Sequence, residues 1–151
     1  MGMKLTGLDV FDSTIQTTNA WLKELMLELN WSDRRKAYLA LRAVLHGLRD
    51  SLSARDAVYL GEQLPALLRG FYFDHWDPGK PPLAVGSRAE FFSKIAANLG
   101  RAAEYTWNPE VIVRAVFRLL ERKAADGEID DIHHILPHSL VDLWPPTLRA
   151  A

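Results

Sequence analysis

Apolar residues recur at intervals of three and four positions along most of this chain, which is the period of an amphipathic α-helix. The clearest stripe consists of Tyr38, Leu41, Leu45, Leu48 and Leu52. No segment alternates between apolar and polar residues in a way that a helix does not explain better. The pattern therefore predicts an all-α fold.

Capping residues and prolines divide the apolar stripes into eight predicted helices. Asn108-Pro109-Glu110 is a strong start signal, because a capping amide, a proline and an acidic residue suit a first helical turn. Residues 1–12 have no clear period and are predicted to be a loose lead-in, after which Asp12 or Ser13 caps the first helix. The predicted helices lie at about 14–29, 34–50, 54–63, 65–75, 88–99, 109–124, 126–135 and 137–144.

A proline-rich segment separates the first four predicted helices from the last four. Asp77-Pro78-Gly79-Lys80-Pro81-Pro82 has three prolines and one glycine in six residues, a composition that does not continue a helix. We therefore place a linker at residues 77–86.

The two parts of the chain on either side of this linker resemble each other. At an offset of 72, Arg42-Ala43-Val44 aligns with Arg114-Ala115-Val116, and Leu64-Pro65 aligns with Leu136-Pro137. The first helices of the two parts align at an offset of 70. The sequence thus predicts a tandem duplication of a four-helix unit, with two longer and two short helices in each copy. The units, about 13–76 and 87–144, are expected to pack together into one compact bundle, a single domain over 1–151.

Length, charge and the absence of cysteine exclude several classes of function. A chain of 151 residues with 48% apolar and 25% charged residues is typical of a globular domain. Without cysteine, it has no disulfides, thiolate metal sites or cysteine nucleophile. A formal net charge of −1 disfavours general nucleic-acid binding. The sequence has neither a signal-peptide pattern nor a membrane-spanning apolar run, so we expect a cytoplasmic protein with no membrane partner.

Several short motifs occur in a fixed order and resemble a known family. They are Ala40-Leu41-Arg42-Ala43-Val44-Leu45, Gln63-Leu64-Pro65, Leu68-Arg69-Gly70-Phe71-Tyr72, Trp76, Leu136-Pro137 and Leu143-Trp144-Pro145. Through them, residues from about 32 to 145 resemble the bacterial family labelled domain of unknown function 2267. The resemblance implies an all-helical fold. It implies no activity and supplies no catalytic residues.

The sharpest candidate for a functional cluster follows the fourth predicted helix, at Asp74-His75-Trp76-Asp77, with Arg69 and Tyr72 just before it. Two carboxylates and an imidazole within four residues can bind a metal or transfer a proton. The alternative interpretation is a helix end, with His75 near the negative terminus and Asp77 starting a turn.

Further histidines are candidates for metal ligands. His134 and His138 would share a face of an unbroken helix, as paired metal ligands do. Pro137 lies between them and is predicted to start a new helix, which would break that geometry. The metal candidates are therefore His75, His134 and His138, and the alternative for the last two is a solvated helix face.

A basic stripe runs along the second predicted helix, and part of it recurs in the second unit. The stripe comprises Arg35, Arg42, His46 and Arg49, with Arg114 and Arg118 in the second unit. It can form a surface for phosphate or for an acidic partner, or it can pair with acidic residues such as Asp56, Glu62, Asp126 and Glu128. We expect Arg42 and Arg114 each to bond a carboxylate or helix-end carbonyl groups inside its own unit.

These patterns favour a non-enzymatic helical module that works through a protein partner or through self-association, with no cofactor and no catalytic residue assigned. The alternative is a protein that binds a metal or a small molecule, possibly catalytic, through Asp74, His75 and Asp77. A nucleic-acid binder that uses the arginines of the second helix ranks last, because of the net charge.

Overall fold

The computed structural model describes residues 5–100, 105–124 and 126–145, and within these ranges the chain forms seven α-helices, one 3₁₀ helix and no strand. The all-α prediction is confirmed. The helices are α1 Asp9–Leu29, α2 Arg34–Asp50, α3 Ala54–Glu62, α4 Ala66–Phe73, α5 Arg88–Leu99, α6 Pro109–Lys123, α7 Asp126–Ile135 and a closing 3₁₀ helix His138–Leu143. None of the described helices combines the length and apolar character that crossing a membrane requires.

Four of the helices begin at a residue whose side chain caps the first turn, and one of these caps, Asn108, is predicted above from the sequence. Asp33, Ser53, Ser87 and Asn108 each accept a hydrogen bond from the backbone N–H three residues later. Each bond satisfies one of the donors that a helix leaves unpaired at its start. Local chemistry therefore sets these four boundaries.

The first helix departs from the prediction, because it begins at Asp9 and not near residue 14. Asp12 does not cap it; the side chain lies inside α1, buried, with only 4% of the residue exposed. Its Oδ1 accepts hydrogen bonds from the backbone N–H and the hydroxyl of Thr6, at 2.8 and 2.9 Å. This contact orders two turns of helix that have no buried apolar stripe. Residues 1–4 of the predicted lead-in lie outside the described residues.

One hydrophobic core contains residues from both parts of the chain. α1 and α5 each pack against both α2 and α6, so the first helix of each half contacts the second helix of the other half. Positions related by the offset of 72 are buried in pairs, for example Val44 with Val116 and Leu48 with Leu120.

Ion pairs between the halves also occur at positions that the two offsets relate. Glu24 pairs with Arg122 at 3.4 Å, and Lys94 pairs with Asp50 at 3.9 Å. Lys94 stands at the offset of 70 from Glu24, and Arg122 at the offset of 72 from Asp50, so these are corresponding pairs with reversed charges. Two repeats around a two-fold axis produce such pairs. The contacts support the duplication, which stays a prediction.

α5 of the second half packs closely against Gly47 of α2 in the first half. A Cβ atom at this position would lie 2.5 Å from Ile95 Cδ1 of α5, inside the van der Waals limit. Leu119, at the corresponding position of α6, is fully buried. α5 can thus lie against the α2 backbone, whereas α6 presents a full side chain at that point.

We expect Gly47→Leu to lower the free energy of unfolding by about 3 kcal/mol, because the added side chain must displace the buried Ile95. Gly70→Ala is the matched control, since nothing lies within 4 Å of a Cβ atom there. It should raise stability by about 0.5–1 kcal/mol, the usual gain for alanine over glycine inside a helix. Urea denaturation measures both; equal effects of the two variants would contradict the close packing.

Candidate functional site

The basic stripe of α2 lies against the carboxyl end of α4. His46 Nε2 donates to the carbonyl oxygen of Phe71 at 2.7 Å, since a carbonyl can only accept. Arg49 Nη1 donates to the carbonyl oxygens of Tyr72 and Asp74, at 2.6 and 2.9 Å. The last carbonyl groups of a helix have no partner within it and carry its negative dipole end. His46 and Arg49 therefore cap α4.

Arg49 is the buried member of the stripe, and of the two alternatives it follows the one in which the stripe pairs with acidic residues. The residue is only 4% exposed, so it is not part of a solvated basic surface. Its Nε bonds Asp50 Oδ1 at 2.9 Å, while Nη1 serves the two carbonyl groups of the α4 end. A buried guanidinium is tolerated here because a carboxylate and carbonyl oxygens compensate for the lost hydration.

Arg42 and Arg114 have the carboxylate partners that the sequence predicts. Arg42 Nη2 lies 3.1 Å from Asp74 Oδ2, and Arg114 Nε lies 3.0 Å from Glu110 Oε2 on its own helix. The prediction for these two arginines is confirmed. Their partners are not among the acidic residues suggested from the sequence, which were Asp56, Glu62, Asp126 and Glu128.

Arg118 belongs to the contact between α1 and α6. Its Nε lies 3.3 Å from Glu28 Oε2, an ion pair without hydrogen-bond alignment. Arg122 bonds both Glu24 and Glu28, and Lys123 bonds Glu24. The hydrogen bond from Lys123, opposed by burial, lowers the pKa of Glu24. Arg118 is thus part of a charged seam that joins the two halves.

Arg69 and Tyr72 have structural partners and do not join the exposed cluster. Arg69 donates from Nε to the carbonyl oxygen of Gly61 and from Nη2 to that of Leu64, both at 3.0 Å, and so caps the end of α3. Tyr72 is fully buried, and its hydroxyl donates to the carbonyl oxygen of Ala57 at 2.7 Å. Burial raises the pKa of Tyr72. Both residues hold α3 and α4 together.

The remaining cluster residues lie at the surface beyond α4. His75 has a left-handed backbone with φ of 61°, and its side chain is 83% exposed. Its Nε2 lies 3.6 Å from Asp74 Oδ2, which also pairs with Arg42. Asp77 Oδ1 accepts the backbone N–H of Gly79 at 2.9 Å and so forms a turn. Trp76 packs on Phe73, with ring centroids 5.3 Å apart.

This geometry gives the metal alternative no support. Across the described residues, no group of three or more histidine, aspartate and glutamate side chains could hold a metal ion. His134 and His138 lie on α7 and the 3₁₀ helix, on either side of Pro137. The predicted helix break is confirmed, and His134 Nδ1 donates to the carbonyl oxygen of Asp130. These histidines are therefore not a pair on one helix face.

The structure brings three residues of the basic stripe and His75 together, around a cavity between α2 and α5. Arg35, Arg42, His46 and His75 line it, with Asn98 of α5, and its volume is about 380 Å³. Asn98 donates to the carbonyl oxygen of Ala43 at 3.0 Å. Asn98 is not among the residues predicted from the sequence. The available signal was its offset of 70 from Glu28, which places an amide where the first helix has a carboxylate.

We expect Arg49→Met to lower the free energy of unfolding by about 3 kcal/mol, because it leaves two helix-end carbonyl groups and the Oδ1 atom of Asp50 without their donor. Arg114→Met is the control, since Arg114 forms an exposed pair and should contribute less than about 1 kcal/mol. Chemical denaturation of both variants checks this. A loss of less than 1 kcal/mol for Arg49→Met would contradict its role as the cap of α4.

Stability should also fall as the pH decreases below the ordinary pKa of His46, because burial lowers the pKa of its imidazole from 6.5. Arg49 and Arg42 lower it further, while the Phe71 carbonyl and Asp50 oppose the shift. The unfolded chain then binds the proton more readily than the folded protein, so the loss begins near pH 6.5 and proceeds below it, by at most about 1.4 kcal/mol per pH unit.

The matched variant is His46→Gln, which keeps an N–H donor for the Phe71 carbonyl but does not titrate. Urea midpoints at several pH values between 7.5 and 5.5 should decline less steeply in this variant than in the parent protein. Parallel declines would show that His46 is not the titrating group.

Comparison with protein families identifies the chain. The family model described as "Uncharacterized conserved protein (DUF2267)" matches residues 18–143. No curated protein matches the chain. The matched segment starts within α1 and ends with the 3₁₀ helix, so it contains all the buried core residues except Trp144. Because the match covers far more than half of the sequence, this chain belongs to the family labelled domain of unknown function 2267.

Proposed function

We propose that this protein is a non-enzymatic helical module that acts through self-association, and that the contact surface lies at the start of α1 and on α4. We call it the α1 extension surface and define it by its exposed apolar residues Leu8, Val10, Phe11 and Leu67. The description of the matching family model, an uncharacterised conserved protein, names no activity.

The observation that carries the proposal is an ordered helical segment that exposes its apolar side chains. Val10 is 66% exposed and Phe11 is 55% exposed, and Leu8 and Leu67 are also exposed. Residues scattered singly would need no explanation, but large apolar side chains gathered in one place mark an interaction site. Leu8, Val10 and Phe11 lie within four consecutive positions, and Thr14, one turn later, accepts the backbone N–H of Leu67 at 2.9 Å.

This segment adds little to the protein's own core. Among residues 9–17, only Asp12 is buried. Residues 9–17 also precede the segment that the family model matches, and they have no counterpart in α5, which begins at the position corresponding to residue 18. Hydrogen bonds from Thr6 to Asp12 nevertheless hold the segment in place. Such an ordered surface loses little entropy on binding.

The charge of the segment favours a second copy of the chain as its partner. Residues 5–17 contain no lysine or arginine, and Asp9 and Asp12 are their only charged residues. Asp12 is buried. A two-fold symmetric dimer brings the same patch of both subunits together, so a nearly uncharged apolar patch avoids strong repulsion between like charges.

Sedimentation velocity over about 1 μM to 1 mM, the range in which weak complexes are populated, tests the proposal. The parent protein should convert from monomer to dimer in this range. The double variant Val10→Gln, Phe11→Gln should remain monomeric, because glutamine keeps the helix but removes the apolar contact.

Leu27→Gln is the matched control, because Leu27 lies on the same helix, is 72% exposed and stands outside the α1 extension surface. This variant should dimerise like the parent protein. Circular dichroism should show equal helix content in all three proteins. A parent protein that is monomeric throughout the range, or a Leu27→Gln variant that loses the dimer as completely as the double variant, would refute the proposal.

A further inference from the structure

Three aromatic side chains lie around the ammonium group of Lys36, at a place where the two halves meet. Lys36 Nζ lies 4.2 Å from the ring centroid of Trp31, 5.8 Å from that of Tyr105 and 6.0 Å from that of Trp107. The Trp107 ring packs edge to face against Trp31 and Tyr105, at interplanar angles of 68° and 63°. We call these three rings the aromatic cage. A cation this close to an aromatic face is attracted by the negative charge of the ring's π-system.

Helix ends hold the walls of the cage in place. Asp33, the cap of α2, accepts the backbone N–H of Lys36 at Oδ1 and the hydroxyl of Tyr105 at Oδ2, at 3.1 and 2.6 Å. Trp107 directly precedes Asn108, the cap of α6. Because these contacts order the rings without any ligand, binding between them loses little conformational entropy.

The ammonium group of Lys36 is a replaceable occupant of the cage. Lys36 is half-buried, and the described residues place no carboxylate within ion-pair distance of its Nζ. A primary ammonium is strongly hydrated and stands on a flexible stem. A quaternary ammonium has methyl groups around its charge, so it gains burial of apolar surface in addition to the cation–π attraction. Asp33 and Arg35 both interact with Tyr105, and their opposite charges offset each other beside the cage.

We propose that the aromatic cage binds the quaternary ammonium group of a small organic cation, and that Lys36 leaves the cage when this cation binds. In the free protein the lysine acts as an internal competitor. The cage lies at the end of α1, whereas the α1 extension surface lies at its start, so binding here does not depend on self-association.

Proton–nitrogen correlation NMR with choline as the probe tests this assignment, because the chain has five tryptophans and each gives its own indole signal. The indole signals of Trp31 and Trp107, assigned with Trp→Phe variants, should shift saturably, with a dissociation constant of about 1–10 mM. The signals of Trp21, Trp76 and Trp144 are internal controls and should not move with them.

Two analogues of choline separate the contributions of charge and methyl groups. Ethanolamine has the same hydroxyethyl chain with a primary ammonium, and neohexyl alcohol has a neutral tert-butyl group in place of the trimethylammonium. Each should bind at least about tenfold more weakly than choline, since one lacks the methyl groups and the other lacks the charge.

Four variants separate the cage from general charge and packing effects. Lys36→Ala should tighten choline binding about tenfold, because it removes the internal competitor. Lys23→Ala removes the charge of an exposed lysine on α1 and should leave binding unchanged. Trp31→Leu should weaken binding at least about tenfold, because it removes the ring nearest the cation. Trp76→Leu, at a half-buried tryptophan outside the cage, should not.

Lys36→Ala replaces a half-buried residue with a strong helix former, so it stays informative even where Trp31→Leu fails to fold. The proposal is overturned where neither the parent protein nor Lys36→Ala shows a saturable shift up to about 100 mM choline. It is also overturned where Lys36→Ala binds choline no more tightly than Lys23→Ala, or where neohexyl alcohol binds as tightly as choline.

Discussion

The hydrogen bonds from α2 to the carboxyl end of α4 are the contact on which the rest of the first half depends. α4 has only eight residues and would be marginal alone, because helix nucleation is costly. Its final carbonyl groups need donors, and His46 and Arg49 provide them. These bonds, with the burial of Tyr72, fix the point at which the chain leaves the helix. His75 is thereby placed beside Arg42, and the cavity between α2 and α5 acquires its rim.

Helices and caps were predictable because their signals are local. Ser53 and Asn108 act within three residues of their own positions, and the apolar stripes lie within single helices. The start of α1 was not predictable in this way. A helical spacing of apolar residues marks a buried helix face, and residues 9–17 are mostly exposed. A side chain bonded to an upstream residue, Asp12 to Thr6, extends that helix.

Residues that recur at the same position in both halves predicted more of the candidate site than residues that are merely neighbours in the sequence. Arg42 and Arg114 recur at one offset, and each has its carboxylate partner. Tyr72 was assigned to one cluster with Asp74 because the two are close in sequence, but the hydroxyl of Tyr72 donates to the carbonyl oxygen of Ala57 inside the core. The burial of Arg49 depends on carbonyl groups more than twenty residues further along the chain, which a stripe on one helix does not reveal.

The predicted duplication also explains where the halves differ. Buried apolar positions set the packing of both, so most substitutions there would disturb the core. Exposed ion pairs contribute little to stability, so their charges can change without loss of the fold. Glu24 with Arg122 and Lys94 with Asp50 show such a reversal. The α1 extension and the amide of Asn98 are the larger departures from the repeat. A helical unit can be repeated for stability alone, whereas a feature present in one copy requires a separate reason. Self-association is the reason that we propose for the exposed apolar side chains of the α1 extension.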